Sequence, residues 1–209
     1  MLAALPLTAF SEATATAEPT PGGGAVAAAV GALGSAVGAM AARYAEGRDS
    51  AAGQEAELSR EIAALDELRR RLLGLIEDDA EAYGAVNVAY AMPKSDAEEK
   101  AARRQAIQDA LAGAAEPPLR ICRACLEALR LLDGHLPRAN PQLLSDVGVA
   151  AYTLAAAQRS AWLNVLVNLK SLKRAELVSA LSDEGRELLQ AGAQLERSLS
   201  RFVLSSLGA

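Results

Sequence analysis

Two aspartates stand in apolar helical patterns where they could carry out acid–base chemistry. Asp79 falls between Ile76 and Tyr83, in register with the apolar stripe of a long predicted helix, whereas its neighbour Asp78 points away from that stripe. A carboxylate on a core face is costly unless it is paired, hydrogen-bonded or lines a cavity. We therefore expect Asp79 to face an interior or a cleft, either as a site residue or as a structural aspartate bonded to a neighbouring helix end.

Asp146 is the leading acid–base candidate, because it lies early in an apolar helix predicted from Asn140 to Leu172. Asn164 shares its face of the helix, and Asn168 follows one turn later. The helical rise separates Asp146 from Asn164 by about 27 Å, so the two cannot touch one reacting centre within a single subunit. They serve different sites, or an antiparallel partner helix brings them together between subunits. Ordinary hydrogen bonding between helices would also explain the pattern.

Three consecutive glycines, Gly22, Gly23 and Gly24, precede a long uncharged stretch of alanine, valine and glycine. At the start of a helix they permit close backbone approach and positive φ, and they leave free amides at the positive end of the helix dipole. This pattern predicts a ligand at the helix start, and a flexible linker is the alternative. Lys94 and Arg103, near the start of a later helix, could hold anionic or carbonyl groups. Replacing Gly23 with Val is then expected to weaken ligand binding.

Helical periodicity runs through the whole chain, and no alternating pattern predicts a strand. The predicted helices cover Pro6 to Ala15, the glycines to Tyr44, Ala51 to Ala91, Ser95 to Ala114, a further segment to Leu132, Asn140 to Leu172, and Ser182 to Ser205. The fourth helix begins with a capping box at Ser95 and Glu98. Pro117 and Pro118 break or kink the chain before the segment that ends at Leu132. We expect an all-α, up-and-down bundle of long helices in a single domain over 1–209. The small-residue faces exceed what one monomer needs, which favours a homodimer.

Composition excludes several classes of function. The 209-residue chain has a net charge of −5 and no basic block with interleaved aromatics, so no nucleic-acid partner is expected. Cys122 and Cys125 lack a second ligand pair, and His135 lies in a predicted loop, so we expect no metal. The uncharged stretch is long enough for a membrane span, but its alanines and glycines favour close packing of helices instead. The N-terminus lacks a basic segment, and we expect a cytoplasmic protein without a membrane partner.

Six segments together are similar to a known family: "PTPGGGAVAA", "DDAEAYGAV", "AMPKSDAEEKAARRQA", "PPLRIC", "SDVGVAAY" and "AWLNVLVNLKSL". In this order they resemble the cyclodeaminase domain of formiminotransferase-cyclodeaminase and its stand-alone bacterial relatives, which include methenyltetrahydrofolate cyclohydrolases. The resemblance covers nearly the whole chain. It implies an all-helical homodimer that acts on a tetrahydrofolate derivative, without a separate cofactor.

The residue patterns and the resemblance together assign roles to ten residues. The catalytic candidates are Asp146, Asp79 and Lys94, and the substrate-binding candidates are Gly22, Gly23, Gly24, Arg103, Ser145, Asn164 and Asn168. The first expectation is a cyclodeaminase, which closes the 5-formimino group onto N10 and expels ammonia. The alternative is a cyclohydrolase, which adds water to the methenyl carbon. Both reactions pass through a tetrahedral centre, and one carboxylate could serve either. A non-enzymatic binding or scaffold protein is the third alternative.

Overall fold

The structure is a computed structural model that describes residues 1–208, except for the side chain of Ser50. Within this part of the chain every regular element is helical, which confirms the expected all-α fold. The helices are α1 (Leu7–Thr14), α2 (Gly23–Arg43), α3 (Glu55–Ala91), α4 (Ala97–Ala114), α5 (Glu116–His135), α6 (Leu144–Ser171) and α7 (Ala175–Ser206). Short 3-10 turns connect several of them.

Several predicted boundaries were wrong, for local reasons. The segment from 49 to 51 forms a separate 3-10 turn and Gly53 has a φ of +76°, so α3 begins only at Glu55. The last helix begins at Ala175, seven residues before the predicted start. His135 belongs to the end of α5 and is fully buried beside Glu61, with 2.9 Å between Nδ1 and Oε1, although the sequence predicted a loop there.

The start of α4 is capped one residue later than predicted. Asp96 is the N-cap, and its Oδ1 accepts a hydrogen bond of 2.8 Å from the backbone amide of Glu99. Glu99 in turn accepts from the amide of Ser95 at 2.7 Å. The reciprocal bonding of a capping box is therefore present, but aspartate supplies the cap and the predicted serine supplies an amide.

Helix α2 lies at the centre of the bundle and runs antiparallel to α3. Its glycines recur every seven residues on the side that faces α3 and α5, at Gly24, Gly31 and Gly38. A Cβ added to Gly31 would lie 3.1 Å from Cys125 on α5 and 3.2 Å from Leu72 on α3, and one added to Gly38 would lie 2.9 Å from Leu132 on α5 and 3.7 Å from Leu65 on α3. The missing side chains let α2 pack closely against both neighbours. At the first position of this series the facing side chain is a carboxylate, Asp79, instead of a leucine.

Helix α2 is long and apolar enough to cross a membrane, judged by length and composition alone. In the structure, 61% of its apolar window is buried inside the bundle. Its neighbours α3, α5 and α6 cover it with the leucines of the main core. A second apolar cluster joins the ends of α3 and α6 to α4 and the start of α5, and it includes Val86, Leu111 and Val165.

Candidate active site

A cavity of about 400 Å³ lies in front of the N-terminus of α2. It exists because α2 begins at Gly23 whereas its neighbours continue past that point. Gly24 faces Asp79 on α3 and Gly23 faces Asn164 on α6, and both of these helices extend beyond α2, to Ala91 and Ser171. The free amides and the positive end of the α2 dipole therefore point into the space that α2 leaves vacant.

Residues from four segments of the chain line this cavity. They are Pro19, Thr20, Gly22, Gly23, Gly24, Asp79, Tyr83, Val86, Tyr90, Leu111, Ala114, Asn164, Val167, Asn168 and Ser171. The three glycines come together with Asp79, Asn164 and Asn168, so six of the ten sequence-predicted site residues share one site. Apart from Thr20 and Ser171, the other lining residues are apolar or aromatic, which suits a ligand with a flat ring system.

Asp79 lies directly against the first turn of α2. A Cβ on Gly24 would lie 2.1 Å from Asp79 Oδ1, so only glycine allows this approach. Gly22 is the N-cap and makes no side-chain capping bond, and the backbone amide of Ala25 instead interacts with the Asp79 carboxylate. Asp79, which lies on α3, thus caps the start of α2 in place of an N-cap side chain of α2 itself. None of the three glycines has a positive φ, so that part of the expectation was wrong, and close approach is the reason for Gly24.

Burial raises the pKa of Asp79 above its ordinary value, and the hydrogen bond from the Ala25 amide opposes this shift. The expected orientation of the aspartate pair is confirmed. Asp79 lines the cavity, whereas Asp78 forms an ion pair of 2.8 Å with Arg120 and its side chain is 41% exposed. A carboxyl group that gains or loses a proton more easily near neutral pH is suited to general acid–base chemistry.

The two asparagines of α6 form the wall opposite Asp79. Asn164 Nδ2 donates to the carbonyl of Ser160 at 2.9 Å, and its Oδ1 lies nearest to Gly23. Asn168 Nδ2 donates to the carbonyls of Ala114 and Asn164, both at 3.0 Å. Asn168 therefore ties the end of α4 to α6 across the cavity floor, and each side chain retains an amide oxygen that can accept from a ligand.

Tyr83 and Tyr90 line the cavity but were not among the predicted residues, because Tyr83 belongs to the apolar stripe and Tyr90, seven residues later, lies in register with it. Their side chains are 43% and 47% exposed, and both line the cavity. Arg103 lies behind Tyr90: its guanidinium is 5.7 Å from the ring centroid, and its Nη2 donates to the Tyr90 carbonyl at 2.9 Å. Arg103 does not itself line the cavity. The length of α3 could have revealed both tyrosines, because this helix extends about a dozen residues past Asp79, which faces Gly24, and so beyond the start of α2.

The remaining predicted residues lie outside the cavity of a single chain. Lys94 is exposed after the end of α3, and Ser145 and the half-buried Asp146 lie at the opposite end of α6 from Asn164. The separation expected from helix geometry is therefore present. Cys122 and Cys125 are buried in the core, where burial raises the pKa of Cys122 to about 12. Within the described residues, no group of three His, Cys, Asp or Glu side chains could hold a metal ion.

Comparison with known proteins gives consistent matches along the chain. The family model described as Formiminotransferase-cyclodeaminase matches residues 6–187. The chain is 42% identical over 189 residues to a methenyltetrahydrofolate cyclohydrolase of Methylorubrum extorquens, which covers 90% of this chain and 91% of the relative. It is 30% identical over 203 residues to the formimidoyltransferase-cyclodeaminase of Rattus norvegicus, covering 97% of this chain but only 37% of that longer protein.

A solved structure agrees with these sequence matches. The crystal structure of a formiminotetrahydrofolate cyclodeaminase from Thermotoga maritima superposes with a TM-score of 0.83 at 29% identity, covering 100% of this chain and 98% of that one. The agreement extends over sequence, length and the order of the helices. The chain therefore belongs to the formiminotransferase-cyclodeaminase family.

Proposed function

We propose that the protein is an enzyme of folate one-carbon metabolism that acts on the carbon between N5 and N10 of tetrahydrofolate. The observation that carries this proposal is the Asp79 carboxyl, which lies in the cavity at the glycine start of α2 with a raised pKa. The methenyl and protonated formimino groups are both cationic, so a single carboxylate close to the reacting carbon would stabilise either of them. Family membership supports a substrate of this class.

We place hydrolysis of 5,10-methenyltetrahydrofolate to 10-formyltetrahydrofolate first, because the relative with that name matches 90% of this chain at 42% identity. In this reaction water adds to the methenyl carbon and loses a proton, and the bond from that carbon to N5 then breaks as N5 takes up a proton. The remaining hydroxyl proton leaves to solvent as the formyl carbonyl forms. Asp79 would accept the first proton and return it to N5. The free amides of Gly23 and Gly24 would stabilise charge that develops on the added oxygen.

Cyclodeamination is the second candidate, and the full-length match to the Thermotoga maritima cyclodeaminase supports it. Here N10 attacks the formimino carbon of 5-formiminotetrahydrofolate, and the bond from that carbon to the departing nitrogen breaks with release of ammonia. Asp79 would supply a proton to the departing nitrogen and take up the proton that N10 loses. The same cavity and the same carboxyl group serve both schemes, which differ in the attacking group, water or N10, and in the departing nitrogen, N5 or ammonia.

Separate incubation with each folate distinguishes these candidates. A cyclohydrolase removes the absorbance of 5,10-methenyltetrahydrofolate faster than buffer does and releases no ammonia. A cyclodeaminase generates that absorbance from 5-formiminotetrahydrofolate, together with one ammonia per turnover. If neither folate reacted or bound, the proposal would be wrong and a non-enzymatic helical binding protein would take its place.

We also propose that the protein acts as a homodimer, paired through the outer face of α2 and α6. Exposed apolar side chains occur on both helices: Leu33 of α2 is 56% exposed, and Leu163 and Val167 of α6 are 63% and 69% exposed. A symmetric antiparallel pairing of two α6 helices, Leu144–Ser171, would place residue 146 of one copy opposite residue 169 of the other. The partner's Asp146 would then lie beside Asn168, at the open side of the cavity.

Light scattering at micromolar concentration, combined with complementation, tests the dimer. We expect a dimeric mass, and a monomer when Leu163 is replaced by Asp. Asp79→Asn and Asp146→Asn subunits should each be nearly inactive alone. If the site is shared between copies, each mixed dimer contains one intact site of its two. Mixing the variants should then restore about a quarter of the wild-type activity when dimers form at random, and about half when every dimer is mixed. A monomeric wild-type protein with full turnover would contradict the proposal.

A further inference from the structure

All four lysines of the chain lie in two short segments at the outer end of the cavity. Lys94 and Lys100 follow the end of α3, and Lys170 and Lys173 flank the end of α6. Tyr90 lines the cavity one helical turn before the first segment, and Ser171 lines it within the second. Segments 94–100 and 170–176 hold five cationic and four anionic side chains, a net charge of +1, whereas the chain as a whole has a net charge of −5.

The four lysines are exposed, and none of them forms an ion pair within the described part of the chain. Several nearby acidic groups are already engaged. Asp96 accepts from the Glu99 amide, Glu99 accepts from the Ser95 amide, and Asp109 pairs with Arg174. Glu98 and Glu176 are the remaining carboxylates of these segments, and both are exposed. The lysine ammonium groups are therefore available to an anionic ligand that leaves the cavity at this end.

The cavity follows the ends of α3 and α6 past the start of α2, which gives a long substrate a direction in which to extend. Its inner end is the N-terminus of α2, and α3 continues from Asp79 to Tyr90, a distance of about 16 Å along the helix. Tyr83 and Tyr90 follow Asp79 along the same face and offer aromatic surface on the way. A folate whose reacting carbon lies at Asp79 must direct the p-aminobenzoyl ring and the glutamate toward the outer end.

We propose that these four lysines, here called the lysine rim, bind the glutamate carboxylates of the folate substrate and so fix its direction in the cavity. The inference rests on the proposed function. It adds that the pterin occupies the inner end near the glycines, and that Lys94 binds the tail of the substrate without taking part in the chemistry. The rim contributes to binding through exposed charges, so its effect depends on salt concentration.

The test compares 5,10-methenyltetrahydrofolate with its α,γ-diamide, which keeps the shape of the glutamate but carries no carboxylate. Exposed ion pairs contribute modestly one by one, so we expect the wild-type Kd and KM for the diamide to be about 5- to 25-fold higher. The kcat should be unchanged. The variant Lys170→Ala/Lys173→Ala should bind the parent folate several-fold more weakly and lose most of the preference over the diamide.

Arg60→Ala is the matched control, because Arg60 is an exposed cation near the other end of α3, about 45 Å from Ala91. It should keep the wild-type preference. Equal Kd values of the wild type for the two ligands, or an unchanged preference in the double lysine variant, would overturn the inference. Calorimetry gives these Kd values even if neither folate is turned over, so failure of the proposed function remains a separate result.

Discussion

The replacement of Gly24 by Ala is the sharpest test of how the site is built. The new Cβ would lie 2.1 Å from Asp79 Oδ1, 2.5 Å from Cγ and 2.6 Å from Oδ2. Ordinary van der Waals contact begins near 3.4 Å, so the carboxylate has to retreat by about 1.3 Å or adopt another rotamer. A misplacement of this size costs about 100-fold in rate when the displaced group takes part in the chemistry.

The same substitution should have a smaller effect on stability, because two contributions oppose each other. Alanine stabilises a helix by about 0.5–1 kcal/mol relative to glycine, and crowding of a packed site costs about 1–3 kcal/mol. The net loss is then at most about 2.5 kcal/mol, which lowers the Tm of a chain of this length by no more than about 10 °C. Turnover and Tm, measured on the same preparation, separate the two effects.

Gly74→Ala in α3 is the control, since a Cβ there would meet nothing within 4 Å and Gly74 does not line the cavity. It should leave both turnover and Tm close to wild type. Combining Gly24→Ala with Asp79→Ser removes the clash, so the double variant should recover the lost Tm but not the turnover. Wild-type turnover by Gly24→Ala, or equal effects of the two glycine variants, would refute the assignment of Asp79 as the reacting carboxyl group.

Three further predictions follow from named contacts. Asp79→Asn should lower turnover by about two to four orders of magnitude. Burial raises the pKa of Asp79, so the folded state holds the carboxyl proton more tightly than the unfolded state does. The stability contributed by this protonation is complete at low pH and is lost as the pH rises through the raised pKa of the folded state. The Tm of Asp79→Asn relative to the wild type should therefore increase with pH. Asn168→Ala removes the bond to the Ala114 carbonyl and should cost about 1–3 kcal/mol in urea unfolding. Gly185→Ala forces a Cβ to within 1.9 Å of Trp162 and should destabilise by about 1–3 kcal/mol, with kcat unchanged because Gly185 does not line the cavity.

The sequence was sufficient to predict the helical architecture and several of the residues that line the cavity. Long stretches of helical periodicity identify α2, α3 and α6, because tertiary packing follows the apolar stripe of each helix. The position of Asp79 was also predictable, since a carboxylate in register with leucines has to face either a partner or a cavity. The seven-residue spacing of Gly24, Gly31 and Gly38 likewise indicates that one face of α2 packs closely against its neighbours, including Asp79.

The rest depended on how far neighbouring helices extend past one another, which no local pattern specifies. Tyr83 and Tyr90 are in register with core residues, and they line a cavity only because α2 begins beside Asp79. Arg103 was expected to bind the ligand directly, but its guanidinium is held by the Tyr90 carbonyl and ring. The role of Asp146 stays a prediction, because the chain alone places it at the far end of α6.

The central claim is that folate binds in the cavity between Asp79, the start of α2 and the end of α6. A crystal structure with 5-formyltetrahydrofolate, a stable analogue that carries its one-carbon unit on N5, tests this most directly. We predict that the formyl carbon lies beside the Asp79 carboxyl group, the pterin beside Gly23 and Gly24, and the glutamate near Lys170 and Lys173. A folate bound elsewhere, for example in the apolar groove between the N-terminal segment and α2, would contradict the account.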